Sequence, residues 1–486
     1  MTNELARSRE TLFAPVAGAQ IAPRLFGARS ASSMSPLVTI DGSSLEGGGQ
    51  IVRVAAALSA ATGREVLVEN VRAGRPKPGL AAQHLAGLRL VRDACGGSLR
   101  APDGGDVGVG ATSFTLAPGS VKEAADASAA GDLAEPAATG SSSSSERTVA
   151  KYAADVHTAG AVSLVAQSFV PVAAFAGRAS RVTLTGGTDV KNAPPIGYLE
   201  HCLAPCLRTH LGITIEAEIK RRGYFPRGGG DVALVVVPGI ASIDDVKNDG
   251  DTRKNVYPPF VIERKRPGGG GDGEPARLGC WIVNGAPEGP RQQTESRAAA
   301  AAAIKSLLTK SPTVAIAAEA MARAGVPVDC GTKVEPGSGD GGSVLLSVAS
   351  VDGTCVLAVG KPFSPPKKSS EKDSEKDSDF LNARLRALVS LASSVGESLG
   401  ELVESGAAVD DHALDQLIVF MALADGRGGR KSRVVARAPI SRHALTAIDV
   451  CRKVVGARFE VLEGPAGGVK PGLVAVECVG VGATVR

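Results

Sequence analysis

The chain has 486 residues, with 54 lysines and arginines against 50 acids and a formal charge of +4. That length suits about two to four domains and a sizeable core, and the near-balanced charge excludes a polycationic nucleic-acid wrapper while leaving room for local basic patches. Aromatic residues are only 3% and glycines number 60, so the core must be aliphatic, and no apolar run reaches the roughly 18 residues of a membrane span. Residues 1–35 are rich in Arg, Ser and Ala, and read as a disordered tail or a weak organelle-targeting segment. From there the pattern predicts strand 37–40, helix 50–61, strand 65–71, helix 80–95 and a short strand near 112–116. A second unit predicts strand 150–156, helix 161–174, strand 181–184, helix 196–211 and strands 214–220 and 231–237. A third predicts helix 411–424, strand 432–436, helix 442–455 and strands 458–462 and 472–479. The fold class is therefore α/β, layered: three repeated units (36–238 and 409–486) with a smaller α/β domain inserted at 239–408. That insert is expected to hold strands 279–284, 343–348 and 354–359 and helices 296–308 and 381–403. Low-complexity stretches at 119–147, 244–277 and 364–379 cannot bury enough apolar surface to offset chain entropy.

Eight cysteines lie scattered without a disulfide spacing, which suits a reducing compartment. Cys202 and Cys206, beside His201, read as small buried thiols rather than metal ligands. No Walker A pattern occurs, and the G-x-G-x-x-G at Gly337–Gly342 precedes a strand, so it reads as a turn.

Four segments carry candidate chemistry. In DGSSLEGGGQIVR (41–53) a glycine triplet before a helix lets backbone N–H groups approach an anion. Glu46 there can hold a divalent metal against phosphates, and Arg53 adds a phosphate contact; a plain turn with a solvated acid is the other reading. In VRAGRPKPGLAAQH (71–84) the prolines stiffen a loop bearing Arg72, Arg75 and Lys77, which suits polyphosphate or an RNA end, or simply a solvated face. TGGTDVKNAPP (185–195) and RRGYFPRGGGD (221–231) put glycine-rich backbone at strand ends, with Pro194 or Pro195 able to pack against a base or merely to stiffen the loop. In the last segment Asp415 and Gln416 sit mid-helix with His412 three residues before Asp415, and His443 lies just inside a helix N-terminus, which favours neutral imidazole and attracts phosphate.

These segments resemble the RNA 3′-terminal phosphate cyclases. The likeness is collinear over most of 37–239 and 405–480, and also takes in TAGAVSL, LDQLIVFMALADG and RHALTAI. The resemblance implies βαβαββ-type units, similar to those of enolpyruvyl-shikimate-phosphate synthase and of the C-terminal domain of translation initiation factor three. It implies an ATP-dependent reaction with a divalent metal (Mg or Mn), on RNA bearing a 3′-phosphate. A histidine takes AMP, the AMP moves to the RNA 3′-phosphate, and the 2′-hydroxyl closes a 2′,3′-cyclic phosphate. Carried over by position, His443 is the nucleophile, with Thr446 and Ile448 in the same motif, and Asp415 is the acid near it. Glu46 is the metal ligand. Arg53, Arg72, Arg75, Lys77 and Gln83 serve the phosphates or RNA end. Gln167, Pro194 or Pro195, His412, Asp415 and Gln416 serve the nucleotide; His412 stands where bacterial members carry an aromatic residue. A non-catalytic cyclase-like protein of ribosomal RNA processing is the alternative, disfavoured by the presence of His443, Arg72, Arg75 and Glu46; an enolpyruvyl transferase is a second rival. The resemblance implies a nuclear or cytoplasmic location, with organelle import through residues 1–35 as the other expectation. No membrane partner is expected, and the oligomeric state is left open.

Overall fold

A computed structural model describes residues 37–119, 149–240, 255–264, 277–286, 328–338, 341–350, 354–363 and 374–485. The tail 1–35, nearly all of 119–147, the expected helix 296–308 and most of 244–277 and 364–379 lie outside these residues; residues 374–379 are described and helical, so the helix expected at 381–403 starts earlier, at Ser374.

The first unit runs β1 (Val38–Asp41), α1 (Gly49–Thr62), β2 (Val66–Glu69), α2 (Ala82–Ala94), β3 (Ser98–Arg100) and β4 (Phe114–Ala117). Its sheet is ordered β1-β2-β4-β3, with β1 and β2 parallel. The second runs β5 (Ala150–Asp155), α3 (Val162–Ala174), β6 (Ser180–Gly186), α4 (Ala204–Leu211), β7 (Thr214–Gly223) and β8 (Gly230–Val237). A helical turn, Ile196–Tyr198, and a π-helical turn, Leu199–Leu203, lead into α4. The spacing predicts one uninterrupted helix there; Pro205 has no N–H to donate back into the preceding turn, so the ladder widens just before it.

The third unit holds α6 (Asp411–Leu423), β14 (Ser432–Arg437), α7 (Arg442–Val455), β15 (Arg458–Glu463) and β16 (Leu473–Val479). Its first strand is β9 (Val261–Ile262), parallel to β14. The sheet order β15-β16-β14-β9 therefore repeats that of the first unit, as does β7-β8-β6-β5. The low-complexity reading of 244–277 fails at 255–264, where Tyr257, Phe260 and Ile262 are buried in the core; a strand of two residues carries no periodicity to show it.

Between β9 and α6 lie β10 (Arg277–Ala286), β11 (Val328–Ser338), β12 (Gly342–Ala349), β13 (Val356–Phe363) and the long α5 (Ser374–Ser405). These four strands extend the second unit's sheet to eight, joined where Gly337 and Ser338 of β11 pair with Arg222 and Gly223 of β7. β11 was not anticipated: VDCGTKVEPGS has glycine and proline breaking any alternation. Gly337 and Ser338 end β11 and Gly342 opens β12, so the glycine-rich stretch spans a change of strand rather than a strand-to-helix turn.

The core is aliphatic. α1 is buried along almost its whole length, from Gln50 to Ala61, because it is apolar on every side and packs against α2, α3 and α7. α6 is likewise buried, from Leu417 to Leu423. α7 has one apolar face, a serine cap (Ser441 Oγ accepting from Ala444 N–H, 3.1 Å) and a left-handed Gly456 at its end. The repeats thus bring the starts of α1, α6 and α7 toward one another around a shared helical interior. Six cysteines, at 95, 202, 206, 355, 451 and 478, are buried free thiols. Among the described residues no helix is long and apolar enough to cross a membrane.

Candidate active site

The glycine triplet leads into α1, and the structure gives each glycine a specific reason. Gly47 has φ +59°, the left-handed region. A Cβ on Gly48 would meet the Glu46 carboxylate. One on Gly49 would meet the His84 ring and lie 2.7 Å from Arg53 Nη1. The triplet therefore leaves room for charged and aromatic side chains that converge on the helix start.

Glu46 joins three parts of the chain. Its backbone N–H donates to Thr446 Oγ1 of α7 (3.2 Å), and Thr446 in turn donates to the Arg442 carbonyl (2.7 Å). Arg75 of the basic loop donates to the Glu46 carbonyl (3.0 Å) and pairs with Oε1 of its carboxylate. Oε2 is buried without a hydrogen-bond partner. Sequence reasoning gave Glu46 and Arg75 separate duties; the structure makes them a pair. Arg72, at φ +53°, donates to the Gly79 carbonyl (2.8 Å) and braces its own loop. Lys77 is exposed.

Beneath the helix start is a buried polar cluster. Arg53 donates to Gln50 Oε1 (2.7 Å), and Gln167 Nε2 reaches both Gln50 Oε1 and Asp415 Oδ1 at 3.4 Å. Burial pushes the Asp415 carboxyl well above the usual carboxylate range, opposed by the Arg53 guanidinium and reinforced by Asp410, Asp411 and Glu46. Burial lowers the Arg53 pKa, opposed by Asp415 and Glu46. A hollow beside this cluster is lined by Arg53, Ala57, Gln167, Pro171, Gln416 and Phe420.

His443 sits at the second position of α7 and is exposed. Partial loss of solvent lowers its pKa below the ordinary 6.5; Glu46 opposes this, while Arg53, His412 and Arg75 add to it. Those four partners show that parts of the chain hundreds of residues apart share one electrostatic neighbourhood. His412 packs edge-on to Tyr198, ring centroids 5.7 Å apart, and its carbonyl accepts from Gln416 Nε2 (2.8 Å).

Other expected residues are engaged within the fold. Gln83 Oε1 accepts from Ala161 N–H (2.8 Å), capping the start of α3. The Pro194 carbonyl accepts from Ser163 Oγ (2.8 Å), and Pro195 is buried against Gly360 of β13.

Two residues of the site were missed. His84, which closes the basic-loop motif, accepts from Ala81 N–H at Nδ1 (3.1 Å). Burial, with the Arg53 and Arg72 charges, pushes it down to about 3, so it is a neutral imidazole over the start of α1. Asp410 caps α6, accepting from His412 N–H (2.9 Å) and Ala413 N–H (3.0 Å). It also accepts from Tyr198 Oη (2.7 Å), Cys202 Sγ (3.5 Å) and the Ala358 N–H of β13 (3.0 Å). The cap position before LDQ was the available signal for Asp410, and the motif's terminal histidine for His84.

The sequence pattern described as RNA 3′-terminal phosphate cyclase matches residues 44–461. The chain belongs to this family. It is 31% identical over 435 residues to the RNA 3′-terminal phosphate cyclase of Caldivirga maquilingensis, covering 88% of this chain and 95% of that protein. Its likeness to the cyclase of Archaeoglobus fulgidus is 38% over 238 residues, 47% of this chain and 62% of that one. For Halobacterium salinarum the figures are 39% over 212 residues, 44% and 56%. In these last two matches the chain spans about three fifths of the relative's length. The family span takes in Glu46, the basic loop, Gln167, Asp415 and His443, so every segment that meets at the start of α1 belongs to it.

Proposed function

We propose that the chain converts an RNA 3′-terminal phosphate to a 2′,3′-cyclic phosphate at the cost of ATP, through a histidine-AMP intermediate on His443. A ring nitrogen of His443 attacks the α-phosphorus of ATP, and the bond to pyrophosphate breaks. An oxygen of the RNA 3′-phosphate then attacks the same phosphorus and releases the imidazole. The vicinal 2′-hydroxyl, losing its proton, attacks the 3′-phosphorus and expels AMP. AMP leaves far more readily than oxide, which is why a nucleotide is consumed.

The observation that carries this reading is the exposed imidazole of His443 at a helix start that is tied to the Glu46–Arg75 pair through the bond from Glu46 N–H to Thr446 Oγ1 (3.2 Å). With its pKa lowered, this imidazole has its lone pair available below the usual 6.5, and the helix N-terminus favours the incoming phosphate. Arg53, Arg72, Arg75, Lys77 and Gln83 are assigned to the phosphates and the RNA end. Gln167, Pro194, Pro195, His412, Asp415 and Gln416 are assigned to the nucleotide. A divalent cation (Mg or Mn) fits at Glu46, whose Oε2 is a buried acceptor with no partner; magnesium needs only one or two carboxylates beside substrate phosphates. Bound there it would neutralise charge on the triphosphate. The location proposed is nuclear or cytoplasmic.

The test is incubation with α-labelled ATP and divalent metal, followed by gel analysis of the protein. The expected label is acid-labile and alkali-stable. His443→Ala should lose it while shifting stability by about 1 kcal/mol or less, and should still cyclise RNA that already carries a 3′-adenylate. Labelling retained in that variant refutes the assignment.

A further inference from the structure

The turn joining β7 to β8 carries an exposed aromatic ring that the proposed chemistry does not use. Phe225 is 78% exposed, the most exposed large hydrophobic side chain among the described residues. It is not on a loose loop. Tyr224 and Gly228 form an antiparallel bridge, with Gly228 N–H donating to the Tyr224 carbonyl at 2.7 Å. Arg221 Nε donates to the Gly229 carbonyl at 2.8 Å. The Tyr224 ring is buried against Gly341, and Gly228, at φ +69°, lies so close to the Thr158 carbonyl that a Cβ would collide with it.

The base of the same hairpin is clamped to the 187–195 loop. Thr188 N–H donates to the Gly223 carbonyl (2.8 Å), and the fully buried Asp189 pairs with Arg222 Nη1 at 3.2 Å. Lys191, exposed, stands two residues beyond that clamp. Arg221 and Arg227 are exposed on the hairpin itself. Two acids stand at the strand ends below the tip: Asp155, which accepts from His157 N–H (2.6 Å), and the half-buried Asp231, opposite Arg221 in the ladder. The tip therefore presents one flat aromatic face among cations.

Its position relative to the RNA-end residues follows from packing. Thr158 and Ala159, which seat Gly228, are followed directly by Gly160, where an added Cβ would lie 3.1 Å from the Gln83 side chain. Ala161 N–H is then bonded to Gln83 Oε1. One short loop thus separates the hairpin tip from a residue assigned to the RNA terminus.

We infer that the Phe225 hairpin is a docking platform for the single-stranded RNA upstream of the 3′-phosphate, with Phe225 stacking on a base and Arg227 and Lys191 contacting phosphates. This rests on the RNA reading above. A rigid, exposed ring stacks on any base, and neighbouring cations follow the backbone, which is how single strands are held without sequence readout. A platform outside the reaction centre would let the enzyme select RNA chains over free nucleotides bearing the same terminal phosphate.

The test measures binding of 3′-hydroxyl oligonucleotides, which cannot react, to the full chain. Probes of about eight and about two nucleotides are compared, the longer one carrying 2-aminopurine at successive positions. Phe225→Ala should weaken the longer probe about tenfold and abolish quenching at one upstream position, while Phe225→Trp keeps both. Arg227→Ala should lower the salt slope of binding by about 0.7. The two-nucleotide probe should respond less than about twofold, since it ends before the platform. Equal affinity of Phe225→Ala and wild type for the longer probe overturns the inference, as it would if the hairpin served a protein partner. Histidine labelling by ATP, read on the same preparations, separates this failure from that of the cyclase reading: a labelled protein with no Phe225 effect sinks only the platform, and an unlabelled protein with a Phe225 effect sinks only the cyclase.

Discussion

Replacing Asp410 by alanine should show how the strands between β9 and α6 support the helix that carries His412, Asp415 and Gln416. The carboxylate is 5% exposed and receives five donors, from Tyr198, Cys202, Ala358, His412 and Ala413. Losing a helix cap costs about 1 kcal/mol. Leaving the Tyr198 hydroxyl and the Ala358 N–H buried without an acceptor costs about 1–3 kcal/mol each. Water entering the vacated space offsets part of this, so the expected loss is about 3–5 kcal/mol. Asp410→Asn keeps an oxygen for the cap but turns an amide toward the Ala358 N–H, and should lose about 1–3 kcal/mol. Urea unfolding followed by circular dichroism gives the stability, read from midpoints at constant slope. Histidine labelling at varied ATP then gives a KM-type effect larger for Ala than for Asn, because α6 loses its anchor rather than its chemistry. An alanine variant within about 1 kcal/mol of wild type would refute the reasoning, since it would mean that the five donors find other partners.

Gly49→Ala should slow histidine labelling at least about tenfold, because the new methyl forces the His84 ring or the Arg53 guanidinium out of place, a strain of about 1–3 kcal/mol; labelling kinetics check it. His84 is held neutral in the fold, with its pKa lowered from 6.5 to about 3. The unfolded chain therefore binds the extra proton, and stability should fall as the pH drops from 6.5 toward about 3. His84→Gln should make that fall shallower by up to about 1.4 kcal/mol per pH unit, measured by unfolding at pH values from about 6.5 to about 4.5. The acid limb of histidine labelling should lie below pH 6.5, following the lowered pKa of His443; a limb above that value would contradict it. Arg75→Ala should change the divalent-metal dependence of labelling as well as the RNA step, because Arg75 pairs with Glu46. A double-mutant cycle with Glu46→Gln, read on the labelling rate, should show the two effects to be non-additive.

Much was legible in the chain itself. Helix 442–455 was predicted to its last residue, because Ser441 caps it, one face alone is apolar and Gly456 ends it. α1, α2 and α3 were readable from their apolar spacing although none is capped by the side chain of its own N-cap residue, and their motifs were continuous strings in the right order. His443, Glu46 and Asp415 stood inside such strings. What depends on neighbours in sequence, such as a cap, a period or a turn, can be read from sequence.

What depends on neighbours in space could not. β9 has two residues and exists because β14 offers it an edge. β11 contradicts its own propensity and is held by β10 and β7. The pairing of Arg75 with Glu46 spans 29 residues and that of Gln167 with Asp415 spans 248, and neither distance leaves any periodic trace. The sequence by itself determined the repeated α/β units, the aliphatic core and the set of side chains able to do phosphoryl chemistry, because short-range patterning governs local structure. The tertiary structure alone decided which of those side chains meet, that His84 is buried and neutral, and that Asp410 ties α6 to β13, because desolvation and electrostatic coupling are properties of the assembled interior.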